Sequence, residues 1–197
     1  MAYSSAGLLA LIITLIINHD VFKRREDESI VPAQKSYRAF LAWVCMYFIC
    51  DFLWGILYEN HLLTLTYADT VLYFVIMGLV ILYWTRFVVD YLEENGRADK
   101  ILMIMGNLIF LFQLISILVN FVRPVMFSFD AEGVYHPEII RYVTLVAQLV
   151  VFTMTAVYAL SVASKSNGSV RQRHLTIGLF GVVMTISDIL QGMHSLL

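Results

Sequence analysis

The chain has 197 residues, of which 60% are hydrophobic and 14% charged, with a mean hydropathy of +0.78 and a net charge of −2. A soluble domain of that length could not hide so much apolar surface, which excludes an ordinary water-soluble globule. The net charge says little about partners, because the sidedness of the charges matters more than their sum, and no nucleic-acid partner is expected.

Six long apolar segments predict an all-α fold, a polytopic membrane helix bundle with six transmembrane helices forming one domain over residues 1–197. Each window is too long and too continuously apolar for the alternating strands of a barrel. The first helix runs from about Ala2 to Ile17 and can continue through Asn18 and His19 to Phe22. It lacks a basic region ahead of its apolar run, so it reads as an uncleaved anchor rather than a secretory signal. The loop that follows carries Lys23, Arg24 and Arg25 and then Glu26, Asp27 and Glu28, a solvated segment.

The second helix covers about Tyr37 to Tyr58 and holds both cysteines, Cys45 and Cys50, which point to different sides and read as apolar filler. The third covers Thr70 to Val89, with Asp69 as its expected N-cap. The fourth covers Ile101 to Val122. The loop after it contains Pro124 and Pro137, and His136-Pro137-Glu138 reads as the start of the fifth helix, Ile139 to Ala163. Ser164 to Ser169, rich in Ser, Asn and Gly, reads as a flexible loop before the sixth helix, Leu175 to Leu197.

The basic residues orient these helices. Lys23, Arg24, Arg25, Lys35 and Arg38 lie in the first gap, Arg86, Arg97 and Lys100 in the third, and Lys165, Arg171 and Arg173 in the fifth. The second gap has none and the fourth only Arg123 and Arg141. Short Lys- and Arg-rich loops stay in the cytoplasm. The expected localisation is therefore the cell membrane, multi-pass, with the amino terminus extracytoplasmic.

Function has to be sought in polar groups that lipid makes costly. Asp51 and Asp188 fall at similar depths in the second and sixth helices, and each would cost about 2.5–3.5 kcal/mol if it faced hydrocarbon. Helical spacing extends them into stripes, Tyr47, Asp51, Trp54 and Tyr58 on one helix and Thr185, Asp188, Gln191, Gly192 and Ser195 on the other. Asp69, Tyr73 and Met77 add a third stripe. Gln113, Ser116 and Asn120 add a fourth, and Thr144, Gln148, Val151, Thr155 and Tyr158 a fifth. Small hydrogen-bonding residues on such stripes also hold membrane helices together without any ligand. The functional expectation is a ligand-binding pocket, open to the outside, formed by Asp51, Trp54, Tyr58, Tyr73, Gln148, Tyr158, Asp188 and Gln191. Its carboxylates and aromatic faces suit a small cationic or polar ligand.

No catalytic site is indicated, for the chain has no nucleophile elbow, phosphate loop or HExxH motif. His61, His136 and His194 lack zinc-site spacing, so no metal and no cofactor are expected. A retinal Schiff base would need a lysine within a helix, and all four lysines, Lys23, Lys35, Lys100 and Lys165, are in loops.

The pattern Asp51-Phe52-Leu53-Trp54-Gly55, repeated as Asp188-Ile189-Leu190-Gln191-Gly192, together with the outside amino terminus, an aromatic-rich second helix and a short second loop, resembles the amino-terminal multi-helix membrane region of bacterial GGDEF-type diguanylate cyclases and related sensor kinases. That resemblance implies a sensory input domain, with a seventh helix and a cytoplasmic output domain after Leu197, so the chain reads as a fragment of a longer parent. Partners on this reading are the lipid bilayer, the small ligand, the output domain and, for a homodimer, a second copy. The rival expectations are a small-solute transporter of two parallel three-helix repeats around a midplane site, and a structural subunit of a larger membrane assembly.

Overall fold

The computed structural model describes residues 2–23 and 31–194. The charged run Arg24 to Glu28 and the last residues, Ser195 to Leu197, lie outside them, as do the side chains of Asp188 and Gln191. The fold is an all-α bundle with one small hairpin: α1 (Ala2–Ile17), α2 (His19–Lys23), α3 (Pro32–Glu59), α4 (Leu63–Leu92), α5 (Arg97–Asn120), β1 (Phe127–Phe129), β2 (Tyr135–Pro137), α6 (Ile139–Lys165) and α7 (Gly168–His194). Four of these helices, α3, α4, α5 and α6, are long and apolar enough to cross a membrane. The described part of α1 has 16 residues, shorter than a usual span.

Helices α3, α4 and α6 outrun the windows expected from hydropathy, and α5 and α7 begin before theirs, while α5 stops at Asn120, two residues short of Val122. Apolar windows mark what lipid would touch, whereas backbone hydrogen bonding continues into polar turns at the interface. Thus α4 begins at Leu63 rather than Thr70, because α3 ends at Glu59 with Asn60 as its C-cap, whose Nδ2 donates to the Ile56 carbonyl at 2.8 Å, and His61 turns the chain in a left-handed conformation. Asp69 is therefore in the second turn of α4 and does not cap it. Likewise α7 starts at Gly168, whose φ of 58° closes the turn, and the expected flexible loop shrinks to Ser166 and Asn167. Ser164 and Ser166 return their hydroxyls to the Ser161 and Val162 carbonyls, so the Ser-rich stretch extends α6.

The molecule has two distinct ends. One collects Lys23, Lys35, Arg97, Lys100, Lys165, Arg171 and Arg173 and is called the basic end. The other carries the hairpin, which the sequence reading did not contain. Its strands are antiparallel, with Phe127 opposite Pro137 and Phe129 opposite Tyr135. Glu138 N–H bonds to Met126 O and Asp130 N–H to Val134 O, so the even-numbered positions exchange ladder bonds and Phe127 and Pro137 occupy a non-bonded pair. Pro137 has no N–H to offer and needs none there. It ends a strand rather than opening a helix, and α6 begins two residues later.

Asn120, at the end of α5, builds this cap. Its Oδ1 accepts the amides of Val125 (2.8 Å), Met126 (2.8 Å) and Phe127 (3.2 Å), and its Nδ2 donates to Phe127 O (3.1 Å). Met126 and Phe127 are completely buried against Phe74, Ile117 and Tyr67. At the hairpin tip Asp130 Oδ1 accepts the Glu132 and Val134 amides, and its Oδ2 lies 2.8 Å from His136 Nε2. Those bonds, the histidine's foremost, hold the Asp130 carboxyl below the usual carboxylate range.

The main core centres on Trp84 of α4, whose Nε1 donates to Thr155 Oγ1 of α6 at 3.0 Å amid Phe40, Phe87, Phe152 and Phe180. The expected polar stripes of α5 and α6 do face inward, for Gln113, Ser116, Asn120, Thr144, Gln148 and Thr155 are all buried. The opposite face of α5 presents Ile101, Ile104, Leu108, Leu111, Ile115 and Leu118, each at least half exposed. A continuous apolar stripe of that kind is stable against lipid, not water.

Candidate ligand-binding cavity

Helices α1, α3, α4, α6 and α7 surround a partly open cavity of about 750 Å³, within the range of small-molecule sites. It exists because helix pairing is uneven. Close pairings join α1 to α3, α3 to α4 and α6 to α7, whereas α1 and α7 are not a packed pair among the described residues. Gly178 and Gly181 let α7 approach α6 so closely that a Cβ on Gly181 would lie 3.0 Å from that of Ala156. With α7 drawn toward α6 and α1 toward α3, a gap remains between the two pairs.

The cavity is polar at its ends and apolar between them. At the basic end stand Asn18, Tyr37, Tyr91 and Arg173, with Tyr37 donating to Asn18 Oδ1 at 2.9 Å. Phe40, Val80, Ile81, Trp84, Phe152 and Ile177 form the middle. Toward the hairpin end come Tyr47, Met77, Met184 and Gln148. Gln148 is 3% exposed, and its Nε2 is buried with no hydrogen-bond partner. An orphaned buried donor costs about 1–3 kcal/mol, a penalty that an acceptor in the cavity would relieve once the Gln148 amide turned toward it.

The residues expected to form one outward-facing pocket are distributed, among the described side chains, over four places. Gln148 lines the cavity. Tyr73 sits beside it, its hydroxyl 2.6 Å from that of Tyr47. Trp54 and Tyr58 stack on each other at 4.8 Å, and Trp54 donates to Thr70 Oγ1 at 3.0 Å and meets Tyr135 edge-on. The hairpin thus fills the place where the outward pocket was expected. Tyr158 is at the opposite end of α6, where its hydroxyl donates to Asp99 Oδ1 at 2.5 Å while Asp99 Oδ2 accepts the Gly96 amide at 2.9 Å. It fastens α6 to the start of α5 and does not share a wall with Trp54. Asp188 and Gln191 lie on the α7 backbone, and their side chains lie outside the described ones.

Asp51 has a different setting from the one expected. It is half-buried on α3 facing α1 at Gly7, where an added Cβ would come within 2.7 Å of Asp51 Oδ2 and oblige the carboxylate to move. Its electrostatic neighbour is Asp69 of α4, 7% exposed, whose carboxyl is within hydrogen-bonding reach of the Cys50 thiol and whose Oδ2 has no partner. Cys45 and Cys50 are both free and buried, but Cys50 has polar work beyond filling space.

The chain matches no family model, no curated protein and no solved structure.

Sequence reasoning missed Arg173, Asn18, Tyr37 and the aromatic middle of the cavity. Arg173 was counted only as a marker of sidedness. The available signal was its position on an inward stripe, for Arg173, Thr176, Ile177, Phe180 and Met184 recur at spacings of three, one, three and four.

Proposed function

We propose that this chain is a membrane-embedded sensory domain that takes a ligand into the cavity between α1, α3, α4, α6 and α7 and converts occupancy into a change of helix packing, passed to an output domain of a longer parent chain. Both α1 with α2 and α7 cross the bilayer on this reading, giving six spans, with the basic end in the cytoplasm and the amino terminus outside. The resemblance to input regions of diguanylate cyclases and sensor kinases points the same way.

The observation that carries the reading is the loose side of the bundle. Across the cavity α7 faces α1 without packing on it among the described residues, so a ligand that fills the gap changes contacts that the rest of the bundle leaves unsettled. A ligand shifts such an equilibrium by its differential affinity for the two packings.

The test uses spin labels on the lipid-facing residues Leu9 of α1 and Leu179 of α7, with Cys45 and Cys50 replaced by Ala, in phosphatidylcholine nanodiscs. Adding 1-hexadecanol, a neutral probe for the apolar cavity, is expected to shift the distance distribution between the labels. An unchanged distribution with the probe bound refutes signalling through this gap. Uptake of a solute into proteoliposomes, dependent on the cavity residues, would instead assign transport.

A further inference from the structure

We infer that the ligand is a single-tailed amphipathic carboxylate, a long-chain acid bearing an oxygen acceptor toward the far end of its tail. This rests on the cavity being a binding site and adds the chemistry of what it binds.

Three features of the cavity select that class. The first is charge: Arg173 stands at the basic-end mouth, and among the described residues its guanidinium has no carboxylate partner. Asn18, Tyr37 and Tyr91 beside it are neutral, and the nearby Asp90 carboxylate is taken by the Ser36 hydroxyl, so Arg173 is the one charged residue among the described cavity-lining side chains. The second is the middle, where Val80, Ile81, Trp84 and Phe152 offer no hydrogen-bonding group other than the Trp84 Nε1, already given to Thr155. That stretch accepts methylenes. The third is Gln148, a lining residue at the hairpin-side end whose Nε2 has neither a partner nor exposed surface, so that a small rotation of its amide would bring the donor to an acceptor in the cavity.

The spacing fits one extended chain. Gly181 lies beside Ala156 and Gly178 beside Leu160, so antiparallel pairing puts Arg173 roughly level with Lys165 on α6. From there to Gln148 is about 25 Å at 1.5 Å per residue, and the two side chains reach inward to shorten it. A volume of about 750 Å³ holds one such tail, and the gap left where α1 and α7 do not pack on each other among the described residues is the route of entry this inference implies.

Charge, not tail length, should govern selectivity. A tail leaving lipid for the cavity exchanges one apolar surrounding for another and gains little, whereas the carboxylate gains a guanidinium. Hydrogen bonds to charged groups are worth enough for roughly a tenfold or greater preference over the matching alcohol.

The test is photolabelling of the protein in phosphatidylcholine nanodiscs with a diazirine analogue of hexadecanoate, the labelled peptides being mapped by mass spectrometry. Labels on the Phe152 and Ile177 peptides should be competed by hexadecanoate about tenfold better than by 1-hexadecanol. ω-Hydroxyhexadecanoate should compete several-fold better than hexadecanoate. Arg173→Gln should abolish the preference for acid over alcohol, and Gln148→Leu the preference for the hydroxylated acid. Gln148→Leu replaces an unpartnered donor with a side chain of similar size, so it should fold, and Arg173 is exposed.

Acid and alcohol competing equally in the unaltered protein would overturn the anionic assignment while leaving the cavity a binding site. Equal competition by the plain and hydroxylated acids would overturn the role of Gln148. Labelling of these peptides that no competitor reduces would overturn the binding site itself.

Discussion

Asn120→Ala should be among the most damaging single substitutions in this protein, although Asn120 is far from the cavity. Its side chain serves four backbone groups of the hairpin, and two of the amides belong to Met126 and Phe127, which have no exposed surface. Phe127 occupies a non-bonded ladder position, so its N–H and C=O turn away from β2 and depend on Asn120. Val125 is only partly buried, and its amide can find water. Two fully buried amides without acceptors cost about 1–3 kcal/mol each, giving a loss of about 4 kcal/mol, beyond the usual range for one substitution. Asn120→Asp sets a carboxylate oxygen against Phe127 O in place of that bond, but its charge strengthens the three bonds from the amides, so it should fall between Asn120→Ala and the unaltered protein. Thermal unfolding in detergent micelles would rank the three, and hydrogen exchange would show whether the Met126 and Phe127 amides lose protection. A stability within about 1 kcal/mol of the unaltered protein, with both amides still protected, would refute the reasoning.

Gly181→Val should push α7 away from α6, because the added carbon meets the Ala156 Cβ at 3.0 Å and its Cα at 3.2 Å. A loss of about 1–3 kcal/mol is expected, measurable as a lower unfolding temperature. Trp84→Phe removes the bond to Thr155 while that hydroxyl keeps its own bond to Phe152 O. It should cost about 1 kcal/mol in the same assay. The lowered pKa of Asp130, caused first by His136, means that the hairpin tip keeps the full contribution of this group above the usual carboxylate range and loses it as pH falls through the depressed value. The Val134 amide resonance should report that acid transition, and Asp130→Asn should abolish it. For orientation, a single cysteine at Asn167 should be reached by impermeant reagents from the cytosol and one at Glu132 from outside, in a background without Cys45 and Cys50. The opposite result would invert the proposed topology.

Much of the bundle was legible in the residues because its signals are local or periodic. Apolar runs mark helices wherever they sit, and the buried stripe Thr144, Gln148, Val151 and Thr155 follows from 3.6-residue spacing alone. Helix ends were less legible, as Asp69 shows. It has the composition of a cap at the edge of an apolar window, yet the turn at Asn60 and His61 starts α4 early enough to bury it. The hairpin was illegible because its strands have three residues each, too few for an alternating pattern, and Asn120 stabilises it from another element.

By itself the sequence determined that this is a helical, lipid-compatible chain with its basic residues concentrated at one end, since hydropathy and charge are sums over residues and need no partner. Only the tertiary structure decided where a ligand could fit. A cavity is what packing leaves unfilled: it depends on how closely Gly181 lets α7 approach α6, on α1 remaining with α3, and on the hairpin closing over Trp54. Those distances belong to pairs of helices, and no single helix carries them in its own pattern.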